Sequence, residues 1–86
     1  MLAVRFVTEL IGTFVLLSVI ILTTNPIAIV VATLLTTIIF IGGHFNPAVS
    51  TAMWIRGNIG ATEYATLIAA QLIGAALPAV LVDRHR

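Results

Sequence analysis

Asn46-Pro47-Ala48 lies in the middle of an apolar sequence, and its three residue types have a definite local chemistry. Asparagine is a preferred N-cap and proline suits the first helical position, so a helix is expected to start here. Capping commits the Asn46 side-chain oxygen to the N–H of Val49 or a near neighbour and leaves its NH₂ free to donate. The positive end of the helix dipole adds to that donor, repelling cations and turning a water molecule oxygen-first. Just before it, Gly42-Gly43-His44-Phe45 cannot easily continue a regular helix. Irregular backbone at membrane depth is tolerated only inside protein or beside water. An isolated Asn-Pro-Ala triplet is usually an ordinary helix start in a surface loop. Here it falls between two apolar spans and is followed by an apolar stretch half a membrane long.

Glu9 is the second residue of note, since a carboxylate inside an apolar span is costly unless it reaches the interface, finds a buried partner or serves a function. The sequence contains no run of ionisable residues to relay a proton, so a bracing role is expected. His44 and Phe45 are expected to pack or bond within their loop. No nucleophile with a paired base, no carboxylate pair and no phosphate loop is present, so an enzyme is not expected. With no cysteine and only two histidines, His44 and His85, neither a metal nor a cofactor is expected.

The elements that must hold these residues are set by composition. Of 86 residues, 60% are hydrophobic and 8% charged, against roughly 25% charged in an average soluble domain. The formal net charge of +1 points to no nucleic-acid partner. A first span over about 3–24 is interrupted by Arg5 and Glu9 and is long enough to cross a membrane. Arg5 followed by Leu10 to Leu22 has the outline of a secretory signal, but no small-residue cleavage pair precedes a polar region, and a transmembrane helix is expected instead. Asn25-Pro26 marks a reversal. The second span, about 27–41, is short and rich in β-branched residues (Ile27, Ile29, Val30, Val31, Thr33, Thr36, Thr37, Ile38, Ile39). Helix is still expected, because a lone strand in lipid leaves its amides unpaired. A re-entrant loop and half-helix follow over 42–55, and Arg56-Gly57-Asn58-Ile59-Gly60 returns the chain to a membrane surface. Thr62 is expected to cap the third span, about 62–82, with Glu63 in its first turn and Asp83-Arg84-His85-Arg86 at the far surface. The expectation is an all-α membrane protein: one unit over 1–86, with three transmembrane helices and one re-entrant Asn-Pro-Ala half-helix. Gly12 and the Ala70-x-x-x-Gly74 pair are expected to allow close helix contact. Trp54, Tyr64 and Phe6 fall on one surface, as an aromatic belt would.

Gly42-Gly43-His44-Phe45-Asn46-Pro47-Ala48-Val49-Ser50 resembles the first Asn-Pro-Ala loop of aquaporins and glycerol facilitators. Glu9-Leu10-Ile11-Gly12-Thr13-Phe14 resembles that family's first helix, and Ala70-Gln71-Leu72-Ile73-Gly74-Ala75 its third. The order matches the N-terminal half of the family over nearly the whole chain. By this resemblance the carbonyls of Gly42, Gly43, His44 and Phe45 line half a pore, Asn46 donates to the permeating molecule, and Glu9 braces the loop. The implied function is passive conduction of water or small uncharged solutes such as glycerol.

The sequence also departs from that pattern. A full family member has two inverted halves, and this chain supplies one. The second half usually carries an arginine just after its Asn-Pro-Ala, whereas Val49 follows Ala48 here. The stretch from Glu9 to Asn46 is shorter than the family suggests, so no pore-lining role of the second span carries over. Arg5 and Arg56 fall on one side of the expected topology and Arg84 and Arg86 on the other, a balance that permits both orientations. The expected partners are lipid and either a second, inverted copy of the chain or a separate half-channel. Another class of function, a small oligomerising membrane protein such as a holin-like pore or a regulator of full-length channels, predicts that Asn46 is dispensable. A non-conducting remnant is a third.

Overall fold

The computed structural model describes residues 1–40 and 42–82. These form four helices: α1 over Leu2–Leu22, α2 over Pro26–Ile39, α3 over Pro47–Ile55 and α4 over Ala61–Leu81. Both α1 and α4 have 21 residues, about 31 Å of helix, and both are apolar and long enough to cross a membrane. The 14 residues of α2 give only about 21 Å.

Helix boundaries follow local chemistry. α1 stops at Leu22 rather than Thr24 because Thr23 turns extended (φ −140°, ψ 151°) and its hydroxyl accepts from the Asn25 N–H at 3.0 Å. Asn25 Oδ1 then takes the N–H groups of Ile27 and Ala28, and Pro26 occupies the first helical position. α2 ends at Ile39, earlier than its expected end at position 41; Ile41 itself lies outside the described residues. The expected cap at Thr62 is corrected. Gly60 is the N-cap of α4, no side chain caps it, and Thr62 already lies inside the helix. Glu63 does stand in the first turn of α4. The expected charged terminus at Asp83–Arg86 lies outside the described residues.

α1 packs chiefly along α4, with α2 against α1 and α3 against α4. The tightest crossing is at Gly74, where a Cβ would come within 2.6 Å of the Leu10 carbonyl oxygen, beside the fully buried Ala70. The interior is unusually polar: Glu9, Thr13, Thr36, Ser50 and Gln71 are all buried. Large aliphatic side chains point outward instead, Ile27 being 73% exposed and Ile38 64%. Such an inversion is unfavourable in water and suits a chain solvated by lipid, where internal polar groups must find partners within the protein.

Candidate functional site

The centre of the molecule is Glu9. Its carboxylate is fully buried and accepts three hydrogen bonds: His44 N–H to Oε2 at 2.7 Å, Phe45 N–H to Oε1 at 2.9 Å, and Gln71 Nε2 to Oε1 at 2.8 Å. Two successive amides of the loop thus close on one anion, an arrangement that backbone concavities achieve with a left-handed residue. Phe45, which supplies the second amide, itself has a left-handed backbone, at φ 58°. A side chain in this region costs about 1–2 kcal/mol, offset by the amide bond and by burial of its ring. The ring fills a slot in which a Cβ on Gly12 would lie 2.2 Å away and one on Gly43 2.1 Å away. It also meets Phe40 edge-on, with centroids 6.0 Å apart. Gly12 makes room for the loop's phenylalanine, whereas a Cβ on Gly74 would meet the backbone of α1.

Gln71 extends the network. Its second amide hydrogen goes to Ser50 Oγ at 2.8 Å, and Ser50 Oγ lies 2.8 Å from His44 Nδ1. Fully buried Ser50 thus accepts from Gln71 and shares a second hydrogen bond with His44 Nδ1, whose direction the ring tautomer decides. Sequence reasoning gives Ser50 and Gln71 no role beyond their places in the matched motifs. The available signal was that an amide in the middle of an apolar helix needs a partner. Thr13 Oγ1 and Gln71 Oε1 are buried without partners among the described residues.

Asn46 begins α3 as its N-cap, with extended backbone (φ −154°, ψ 125°) and Pro47 following. Its Oδ1 accepts from Ala48 N–H at 2.7 Å, one residue earlier than expected; Val49 N–H bonds the Asn46 backbone carbonyl instead. Among the described residues the Asn46 NH₂ finds no protein acceptor, and the carbonyls of Gly43, His44 and Phe45 find no protein donor. The Gly42 carbonyl has one long contact, 3.4 Å from the Arg5 guanidinium, which also pairs with Glu63 at 2.8 Å.

Two clefts flank the loop. One, of about 210 Å³, takes in His44, Phe45, Asn46 and Val49 with Thr33, Thr36 and Thr37 of α2. The other, of about 280 Å³, takes in Gly42 and Gly43 with Arg5 and Thr8. The four carbonyl residues singled out from the sequence are thus divided between two spaces, and α2 supplies a polar wall that the sequence did not reveal. Where α3 meets α4, Trp54 stacks on Tyr64 at 4.5 Å and 9°, and the Tyr64 hydroxyl meets Thr51 Oγ1 at 2.9 Å.

Comparison with known proteins gives this geometry a family. The model of the major intrinsic proteins matches residues 25–85. Over 41 residues, 48% of this chain, the sequence is 51% identical to Glycerol uptake facilitator protein-like 6 of Lactiplantibacillus plantarum, covering 19% of that protein. Over the same share of this chain it is 46% identical to Probable aquaporin TIP4-1 of Oryza sativa subsp. japonica and 44% identical to Aquaporin Z of Photorhabdus laumondii, covering 16% and 18% of them. The matches therefore span less than a fifth of each relative's length. No solved structure matches the chain. With the family match covering more than half of the sequence and two apolar helices long enough to cross a bilayer, this integral membrane protein belongs to the major intrinsic protein family.

Proposed function

We propose that the chain forms one half of a passive channel for water or small uncharged solutes such as glycerol, and that a second, inverted half completes the pore. The observation that carries this reading is Asn46, whose oxygen is spent on the cap while its amide stays free at the positive end of a nine-residue helix. That donor, beside loop carbonyls that lack protein donors, is suited to a dipolar molecule without net charge and hostile to cations. Irregular backbone of this kind is stable at membrane depth only beside water or further protein. In this reading α1, α2 and α4 all cross the membrane, with the short α2 met by local thinning of the bilayer. Glu9 holds the loop, and conduction involves no chemical step.

The second half is an inverted copy of the chain, or another chain of the same kind. Inversion about an axis in the membrane plane sets two α3 N-termini against each other, and the two-against-two arginine balance of the sequence permits both orientations. Val49 after Ala48 leaves such a homodimer without a filter arginine next to its Asn-Pro-Ala, so its constriction is wide for the family. Stopped-flow shrinkage of liposomes carrying the purified protein tests the channel. Water flux well above that of empty vesicles, without ion leak and reduced several-fold by Asn46→Ala, is expected; flux equal to that of empty vesicles refutes a pore made by this chain. Cysteine labelling of intact cells tests the inverted pair, which fails if all C-termini lie on one side.

A further inference from the structure

Helix α2 carries three threonines on one stripe, Thr33, Thr36 and Thr37, while the apolar Ile27, Val31, Leu34 and Ile38 occupy the opposite side. All three line the cleft that contains Asn46 and His44. Each hydroxyl donates to the carbonyl four residues earlier: Thr33 to Ile29 at 2.8 Å, Thr36 to Ala32 at 2.7 Å and Thr37 to Thr33 at 2.8 Å. A hydroxyl whose proton is committed in this way keeps only its lone pairs for a visitor. Thr36 is buried, so the exposed acceptors are Thr33 and Thr37, one helical turn and about 6 Å apart along the axis.

The groups across the cleft are of the opposite kind. Asn46 has spent its oxygen and offers an amide, beside His44, whose Nδ1 is engaged with Ser50. Leu16, Phe45 and Val49 supply apolar surface between the two walls. We infer that Thr33 and Thr37 are specificity-determining residues of the proposed channel, forming an acceptor pair that selects small polyols of about three carbons. This rests on the channel reading given above. A cleft of about 210 Å³ holds roughly seven waters at liquid density. Water entering it therefore bonds to other water as well as to the Asn46 amide, and depends little on the threonine oxygens. A polyol displaces those waters, and its several O–H groups then need acceptors from the protein. The side chains opposite provide donors, so the threonine oxygens on α2 fill that need, while the carbon skeleton lies against Leu16 and Val49.

Liposomes bearing wild type, Thr33→Val/Thr37→Val or Thr33→Ser/Thr37→Ser are followed for glycerol uptake and osmotic water flux, with helicity of each variant checked by circular dichroism. Valine keeps the β-branched shape and removes the oxygen; serine keeps the oxygen. The expected result is about a tenfold loss of glycerol permeability in the valine variant, as the loss of two hydrogen bonds implies. Its water flux stays within about twofold of wild type, and the serine variant retains glycerol uptake. Equal losses of water and glycerol, or no change in either, overturn the acceptor pair while leaving the channel standing. Wild-type vesicles no more permeable than empty ones, to water and glycerol alike, overturn the channel reading and the inference with it.

Discussion

The slot between Gly12 and Phe45 is a place where two substitutions should change each other's sign. A Cβ on Gly12 would lie 2.2, 2.7 and 2.9 Å from three atoms of the Phe45 ring, too close on all three counts. The ring has little room to yield, because its own amide is tied to Glu9 and its far side abuts Gly43. Gly12→Ala should therefore cost about 1–3 kcal/mol, the range for overpacking a filled interior. Phe45→Ala should cost about 3–5 kcal/mol on its own. Once the ring is gone the slot is empty, and alanine is a better helix former than glycine by about 1 kcal/mol. In the Phe45→Ala background, then, Gly12→Ala should be neutral or stabilising, and the cycle should show a coupling of about 1–4 kcal/mol. The assay is denaturant titration in mixed micelles, followed through the fluorescence of Trp54, the chain's single tryptophan, whose stack on Tyr64 reports the α3–α4 contact. Additive costs, or a Gly12→Ala variant as stable as wild type, would refute the placement of the ring.

Ser50→Ala should leave one Gln71 amide hydrogen and His44 Nδ1 unpaired, at a cost of about 1–3 kcal/mol in the same titration. Arg5→Ala should do much less. The Arg5–Glu63 pair is about a third exposed on both sides, so a loss under about 1 kcal/mol that shrinks with added salt is expected, measured at low and high ionic strength.

Features fixed by neighbours in the chain were readable before any coordinates. The half-helix expected over 47–55 is Pro47–Ile55, because an asparagine cap and a proline at the first position define a start, and the glycine-containing turn after Arg56 defines a stop. Asn25-Pro26 likewise marked the entry to α2. What escaped depended on distance or rotation. Gln71 and Glu9 are 62 residues apart, and nothing local tells either that the other exists. The threonines of α2 were visible as residues, but which way their stripe faces is decided by how α2 lies on α1. Gly12 and Gly74 look alike as small residues in apolar helices, yet one receives a ring and the other a backbone. Thr62 looked like a cap by type, while Gly60, extended at ψ 173°, starts α4 without a side-chain hydrogen bond.

The network around Glu9 also imposes an order on biosynthesis. Gln71 belongs to α4, so its bonds to Glu9 and Ser50 cannot close while the ribosome is still making the loop, whereas the loop's own amides can already reach Glu9. Until α4 arrives, Ser50 lacks the amide that pairs with it, and burying it early would leave its hydroxyl and the neighbouring imidazole poorly matched. The loop is thus expected to engage Glu9 first, and its hydrogen-bond network to be completed only when α4 packs beside α1. A short loop of the nascent chain thus depends for its last hydrogen bonds on a helix that has not yet been translated.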